Sequence, residues 1–365
     1  RYDLAPYLRV GKNTLAFLLG NGFHNCIGGN IWDLDKALYR SAPKLAFALT
    51  LSDGTVIEAD ENVKTHPSPI LFDDLRCGVH YDARKELSGW TSPDFDDSDW
   101  ENAFPVETAR GKAVLCSAEP IRVYDELAPE TITPHVFLAP YQHRGDHMPE
   151  KTFYDSAEDD AKEGFLYDFG QNNAGIFRLK INGKAGQRIV LQACERLDEE
   201  NRPFFSNIGF YPNGYSQRTI YICRGEGEEI FTPDFTYIGY RYLWVSGITE
   251  DQATKELLTY LVAGSDLEAR GDFSCSDEMA NRLWEVSLRS DRANLYYFPT
   301  DCPHREKNGW TGDASMSAEH MTLKLAMEKT YSDWLISIRG AQNQEGALPG
   351  IVPTAGWGFE WGNGP

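Results

Sequence analysis

The stretch Thr300-Asp301-Cys302-Pro303-His304-Arg305-Glu306-Lys307-Asn308-Gly309-Trp310-Thr311-Gly312-Asp313 places three carboxylates, an arginine and a tryptophan in one short turn. Those residue types suit sugar chemistry. A glycosidic bond breaks when one carboxylic acid protonates the leaving oxygen while another carboxylate activates water or attacks the anomeric carbon. An indole face matches the apolar side of a pyranose. Carboxylates this close should not share one role, because repulsion and partial burial push their pKa values apart and leave one protonated near neutrality. Glu306, between Asp301 and Asp313, is the candidate for that protonated acid, and Arg305 is suited to grip a neighbouring carboxylate or a sugar hydroxyl.

The same residues admit a purely structural reading. Asp301 followed by Pro303 is an ordinary turn signal, and Gly312-Asp313 could cap the apolar helix that follows. Composition alone leaves both readings open.

The string resembles the signature of the bacterial α-L-rhamnosidases of glycoside hydrolase family 78: Asp-Cys-Pro-x-Arg, an acidic residue, then Trp-x-Gly-Asp. The resemblance implies that Glu306 is the general acid. It also implies that Asp301, Arg305 and Asp313 hold rhamnose hydroxyls or tune the acid, and that Trp310 lines the sugar subsite. Some members have one more acidic residue where this chain reads Arg305-Glu306-Lys307, so here the acid falls on Glu306.

Further stretches are similar to the same family in the same order. Leu8 to Phe23, Tyr81 to Arg84 and Phe95 to Trp100 look like its amino-terminal β domain. Tyr167 to Gly175 is similar to the opening of its second β-sandwich, and Phe235 to Trp244 to that domain's closing strand. The resemblance implies a multidomain protein: all-β, jelly-roll-like sandwich domains followed by the first helices of an (α/α)6 barrel. The expected divisions are 1–126, an amino-terminal β-sandwich; 127–265, a linker and a second β-sandwich; and 266–365, the beginning of the catalytic barrel. In this family the general base is a glutamate far downstream of the acid, so the resemblance places it outside this chain, and the start at Arg1 also reads as internal. Glu360, in the tail, is not favoured for that role. The expected activity is removal of terminal α-L-rhamnose from rhamnosides by an inverting mechanism. The alternatives are another α/α-barrel glycosidase and a non-catalytic carbohydrate-binding fragment.

With 365 residues and 41% hydrophobic content the chain can bury more than one core. The formal charge of −20 argues against nucleic acid or an anionic membrane as partner, since both need clustered Lys and Arg. A neutral rhamnose-containing glycoside is unaffected by it. No apolar run reaches the length of a membrane span, and no signal-peptide pattern occurs in these residues. Seven scattered cysteines, without metal-ligand spacing, read as mostly buried reduced thiols. The balance leans towards a cytoplasmic rather than a secreted protein. No cofactor or metal site is read; calcium is left open, without an acidic loop of ligand spacing to hold it. Oligomeric state is not legible.

The elements that must position the motif follow from periodicity. Lys44 to Leu51 is β-type and ends in the turn Ser52-Asp53-Gly54. Leu127 to Glu163, rich in proline and acids, reads as a boundary whose Asp155 to Asp160 run is a solvated loop. Ile176 to Ile181 alternates Phe177, Leu179 and Ile181 against polar residues, turns at Asn182-Gly183 and returns through Ile189, Leu191 and Ala193, which predicts a hairpin with one buried face. Tyr240, Tyr242 and Trp244 should share a face, as core. Near Ala269 the period changes to helical: Ser276 precedes Met279, Leu283, Trp284, Leu288 and Leu295, and a second helix after Asp313 runs through Met316, Met321, Leu325 and Ala326. Trp334 and Leu335 continue that period as core. The motif therefore lies in a loop between two helices. Trp357 and Trp361, in the glycine-rich tail, are candidates for the sugar subsite, with simple loop packing as the alternative. Glu195, His320 and Glu345 are isolated polar residues, expected to be solvated or capping.

Overall fold

The computed structural model describes residues 2–26, 32–107, 114–138, 163–205 and 217–359. The first part contributes two small antiparallel ladders: β1 (Ala48–Thr50) with β2 (Val56–Glu58), and β3 (Lys64–Thr65) with β6 (Glu101–Asn102). The β1–β2 turn uses its expected residues, with Asp53 Oδ1 accepting the Thr55 N–H at 2.9 Å. Between the second pair, β4 (Ile70–Asp74) and β5 (Gly78–Asp82) leave to join the main sheet.

That sheet has ten strands and adds β7 (Ile121–Leu127), β8 (Thr131–Phe137), β9 (Glu163–Asn182), β10 (Arg188–Cys194), β11 (Thr219–Ile222), β12 (Glu228–Phe231), β13 (Ile238–Ser246) and β14 (Leu258–Ser265). Its order is β4-β5-β11-β10-β13-β9-β14-β7, with β8 and β12 also pairing with the long β9. All pairs are antiparallel except β5 with β11. The sheet takes in strands on both sides of the expected division at residue 126. The expected linker contains β8, whose Thr131-Ile132-Thr133 run pairs with β9; its Asp155 to Asp160 run lies outside the described residues.

Two local expectations change. β9 and β10 do not form a hairpin, because β13 lies between them and pairs with both. Their alternation still holds: Phe177, Leu179, Ile181, Ile189, Leu191 and Ala193 are all buried in one cluster. A β-bulge in β13 between Tyr240 and Tyr242 breaks the face expected for the three aromatics. Tyr240 joins that main cluster, stacked on Tyr260 with ring centroids 3.8 Å apart, while Trp244 and Tyr242 pack on Leu166 instead.

After β14 the chain becomes helical: α1 (Glu278–Ala293), α2 (Thr311–Lys324) and α3 (Glu328–Gly340). β domains followed by the first helices of a helical domain are what the resemblance implied. Asp277 caps α1, its Oδ1 accepting from the Met279 and Ala280 N–H groups. Met279, Leu283 and Met316 are exposed, as is Leu335 beside the buried Trp334, so these four are not core within the described residues. Leu295 is buried but lies in a short strand, β15 (Leu295–Tyr296), paired with β16 (Phe298–Pro299). Among the described residues no helix is long and apolar enough to cross a membrane.

Candidate active site

The motif occupies the segment from β16 to the start of α2, between helices α1 and α2 as expected. Its shape is set by exchanges within the loop. Asp301 and Asn308 exchange two hydrogen bonds: the Asp301 N–H donates to Asn308 O at 3.0 Å, and the Asn308 N–H donates to Asp301 Oδ1 at 2.9 Å. Lys307 N–H closes on Cys302 O at 3.2 Å. Gly309 and Trp310 then pair with the tail, the Val352 N–H donating to Gly309 O at 2.9 Å. The other side rests on β13, where the Gly239 N–H donates to Pro303 O at 3.0 Å. A Cβ on Gly239 would come within 2.5 Å of Pro303 Cγ, so only glycine permits that approach.

This folding brings one carboxylate oxygen each of Asp301 and Glu306, and the Cys302 sulfur, within 4.8 Å of one another. Burial, then the charge of Glu306, pushes the Asp301 carboxyl up to about 7. Asp313, expected to act on Glu306 from the other side, stands exposed in the first turn of α2. Two carboxyls at this separation are held with fewer than two negative charges near neutrality. The Cys302 thiol, pushed up to about 12 by burial and by Asp301, remains protonated and donates to Asp301 Oδ2 at 2.9 Å.

Glu306 is buried and held from two directions. The Trp310 indole N–H donates to its Oε2 at 3.1 Å, and Arg305 Nε lies 3.5 Å from its Oε1. Trp357 meets Trp310 edge to face, with ring centroids 5.6 Å apart and planes at 89°. Asp301, Arg305, Glu306, Trp310 and Trp357 are therefore gathered in one place. Trp361 and Glu360 lie outside the described residues.

Several contributors escaped the sequence reading. Glu195, expected to be solvated, is largely buried. It accepts from Asn172 Nδ2 at 2.9 Å and lies 3.5 Å from His304 Nδ1; burial pushes its carboxyl upwards. Burial, then Arg305 and Lys307, pushes His304 down to about 4, so it is a neutral neighbour rather than an ion-pair partner. Lys307 is fully buried, donates to Leu75 O at 2.7 Å and Tyr237 O at 2.5 Å, and is pushed down to about 7 by burial and by Arg76. Arg76 reaches the motif from the β4–β5 turn. No local signal marks these residues, since their partners lie far away in sequence. His320 also has a partner, Asp291 Oδ1 at 2.9 Å, whereas Glu345 is exposed as expected.

A carboxyl pair beside two indoles, carried between the first helices of a helical domain and braced by a β-sheet, defines a multidomain class in which β domains support a helical-hairpin domain. Three family models cover most of the chain in the matching order. They are the α-L-rhamnosidase N-terminal domain over residues 1–125, the bacterial α-L-rhamnosidase concanavalin-like domain over 159–263, and the bacterial α-L-rhamnosidase six-hairpin glycosidase domain over 268–364. The chain belongs to the bacterial α-L-rhamnosidase family.

An α-L-rhamnosidase of Formosa agariphila is 34% identical over 93% of this chain and 34% of its own length. One from Streptomyces avermitilis is 29% identical over 98% of this chain and 33% of its own. Among solved structures, the α-L-rhamnosidase from Dictyoglumus thermophilum superposes with a TM-score of 0.73 at 31% identity, covering 87% of this chain and 33% of that one. The Streptomyces avermitilis α-L-rhamnosidase complexed with L-rhamnose does so at 0.73 and 27%, covering 91% and 30%. The chain spans about a third of the length of these relatives.

Proposed function

We propose that this chain is the acid-bearing part of an α-L-rhamnosidase that removes terminal α-L-rhamnose from rhamnosides with inversion. Glu306 protonates the glycosidic oxygen, and a glutamate outside this chain activates the water that attacks the anomeric carbon. An inverting site needs its two carboxyls roughly 6.5 to 9.5 Å apart to admit that water. The far closer Asp301–Glu306 pair therefore serves the acid half of the reaction, not both halves. The close pair shares a proton near neutrality; Asp301 passes it to Glu306, which is held by Trp310 and Arg305 and gives it to the glycosidic oxygen, leaving both carboxyls ionised until the pair is reprotonated from solvent. Trp310 and Trp357 border the sugar, and Arg305 and Asp313 are the candidates for its hydroxyls. The observation that carries this reading is the close approach of the Asp301 and Glu306 carboxyls on the loop that matches the family's glycosidase domain.

The test is Glu306→Gln in the full-length protein. On a rhamnoside with a poor leaving group, kcat should fall by roughly 10²- to 10⁴-fold, the worth of a positioned general acid, while binding stays measurable. An activated aryl rhamnoside should suffer less. Retained turnover of the natural-type rhamnoside would remove Glu306 from the role.

A further inference from the structure

Arg76 is 1% exposed and belongs to the turn between β4 and β5, 230 residues before the acid. Its guanidinium is used on three sides. Nε donates to the backbone carbonyl of Glu306 at 2.7 Å, Nη2 to Asn308 Oδ1 at 2.7 Å, and Nη1 to Cys26 Sγ at 3.2 Å. The group lies over the rings of Phe23 and Trp32, at 5.4 and 5.8 Å, which close it from water.

The grip is reciprocal. Lys307 donates back to Leu75 O, and Gln217 Nε2 joins Arg76 O to His304 O at 3.1 and 2.9 Å. Thus the backbone carbonyls of His304 and Glu306 and the side chains of Lys307 and Asn308 are tied to one β-turn or its neighbour. Asn308 in turn exchanges two hydrogen bonds with Asp301. A planar guanidinium holding two acceptors fixes the loop in angle as well as distance, which an ammonium cannot do.

We propose that Arg76 is a positioning residue for the Asp301–Glu306 pair: it sets the spacing of the two carboxyls by clamping the Glu306 carbonyl and the Asn308 side chain onto the β-sheet domain. It touches neither carboxylate. This inference rests on the reading of Glu306 as the acid. It adds that the β domain is part of the catalytic geometry rather than only a support.

The experiment compares wild type, Arg76→Lys, Arg76→Ala and Glu306→Gln in the full-length protein, with methyl α-L-rhamnopyranoside, whose poor leaving group needs the acid, as probe and Tm measured alongside. Arg76→Lys should keep KM and Tm close to wild type and lose roughly 10- to 100-fold in kcat, the scale of a small misplacement of catalytic groups. Arg76→Ala should lose more, and added guanidinium should restore part of kcat. Wild-type kcat in Arg76→Lys would overturn the proposal. So would unfolding of both variants, or loss of activity only in step with Tm and without guanidinium rescue, since each describes a purely structural residue. An active wild type with an unimpaired Glu306→Gln would instead sink the assignment of the acid, a result separable from any Arg76 outcome.

Discussion

The Trp310 indole N–H donates to Glu306 Oε2 at 3.1 Å, so the ring expected to line the sugar subsite also holds the carboxyl proposed as the acid. The two residues are four apart, and Trp310 is itself fixed by the Thr311 and Val352 backbone bonds to either side of it and by the edge-on contact with Trp357. One side chain thus couples the orientation of the Glu306 carboxyl to the position of Trp357.

Trp310→Phe keeps a ring and removes the donor. A hydrogen bond of this kind contributes about 0.5–1.5 kcal/mol, so kcat on rhamnosides should fall roughly 2- to 10-fold with KM nearly unchanged. Trp310→Ala should raise KM as well. Steady-state kinetics of the two variants separates the roles, and a wild-type kcat in Trp310→Phe would leave the hydrogen bond without a catalytic part.

Asp301 links proton binding to stability. Its carboxyl is raised from 3.8 to about 7, so the folded chain keeps a proton that the unfolded chain has already released. The stability it contributes is full below about pH 4, falls as pH rises to about 7 and is level beyond. Asp301→Asn cannot titrate, so relative to wild type the variant should gain stability across that window. Thermal unfolding at several pH values reads this, and a constant difference between the two proteins would contradict it.

Gly239 sits where β13 meets Pro303. Gly239→Ala places a methyl 2.5 Å from Pro303 Cγ and should destabilise by about 1–3 kcal/mol, with a loss of activity from the displaced loop. Gly340→Ala, at the end of α3 with no atom within 4 Å of the new Cβ, is the control and should be near neutral. Denaturant unfolding of the pair measures the contrast.

The seven thiols should divide by burial. Cys116 and Cys275 are exposed; Cys26, Cys77, Cys194, Cys223 and Cys302 are buried, and none forms a disulfide. Burial and Asp301 hold Cys302 protonated, which denies it the thiolate that reacts. Ellman's reagent should find two fast thiols in the native protein and the other five only on unfolding; fast labelling of Cys302 would contradict the geometry.

Much of this architecture was legible from short-range pattern. The change from period two to a helical period near Ala269, the loop position of the Asp301 to Asp313 motif and the mostly buried cysteines all depend on neighbours in sequence. The expected β9–β10 hairpin failed because alternation reports which face is buried, not which strand lies alongside. β13, more than forty residues further on, supplies the partner. The bulge at Tyr240 escaped for the same reason, being a mismatch between strands rather than a property of one.

At the candidate site the division is sharper. Sequence alone determined the inventory: Asp301, Arg305, Glu306 and Trp310 are adjacent in the chain, and any fold that closes this turn brings them near one another. Only the tertiary structure decided that burial pushes the Asp301 carboxyl upwards, that Asp313 is exposed at the start of α2, that Trp357 returns to Trp310, and that Arg76, Lys307 and Gln217 tie the loop to the β-sheet. Those outcomes depend on burial and on hydrogen bonds across up to 232 residues of chain, and desolvation and close packing arise only once distant segments exclude water together.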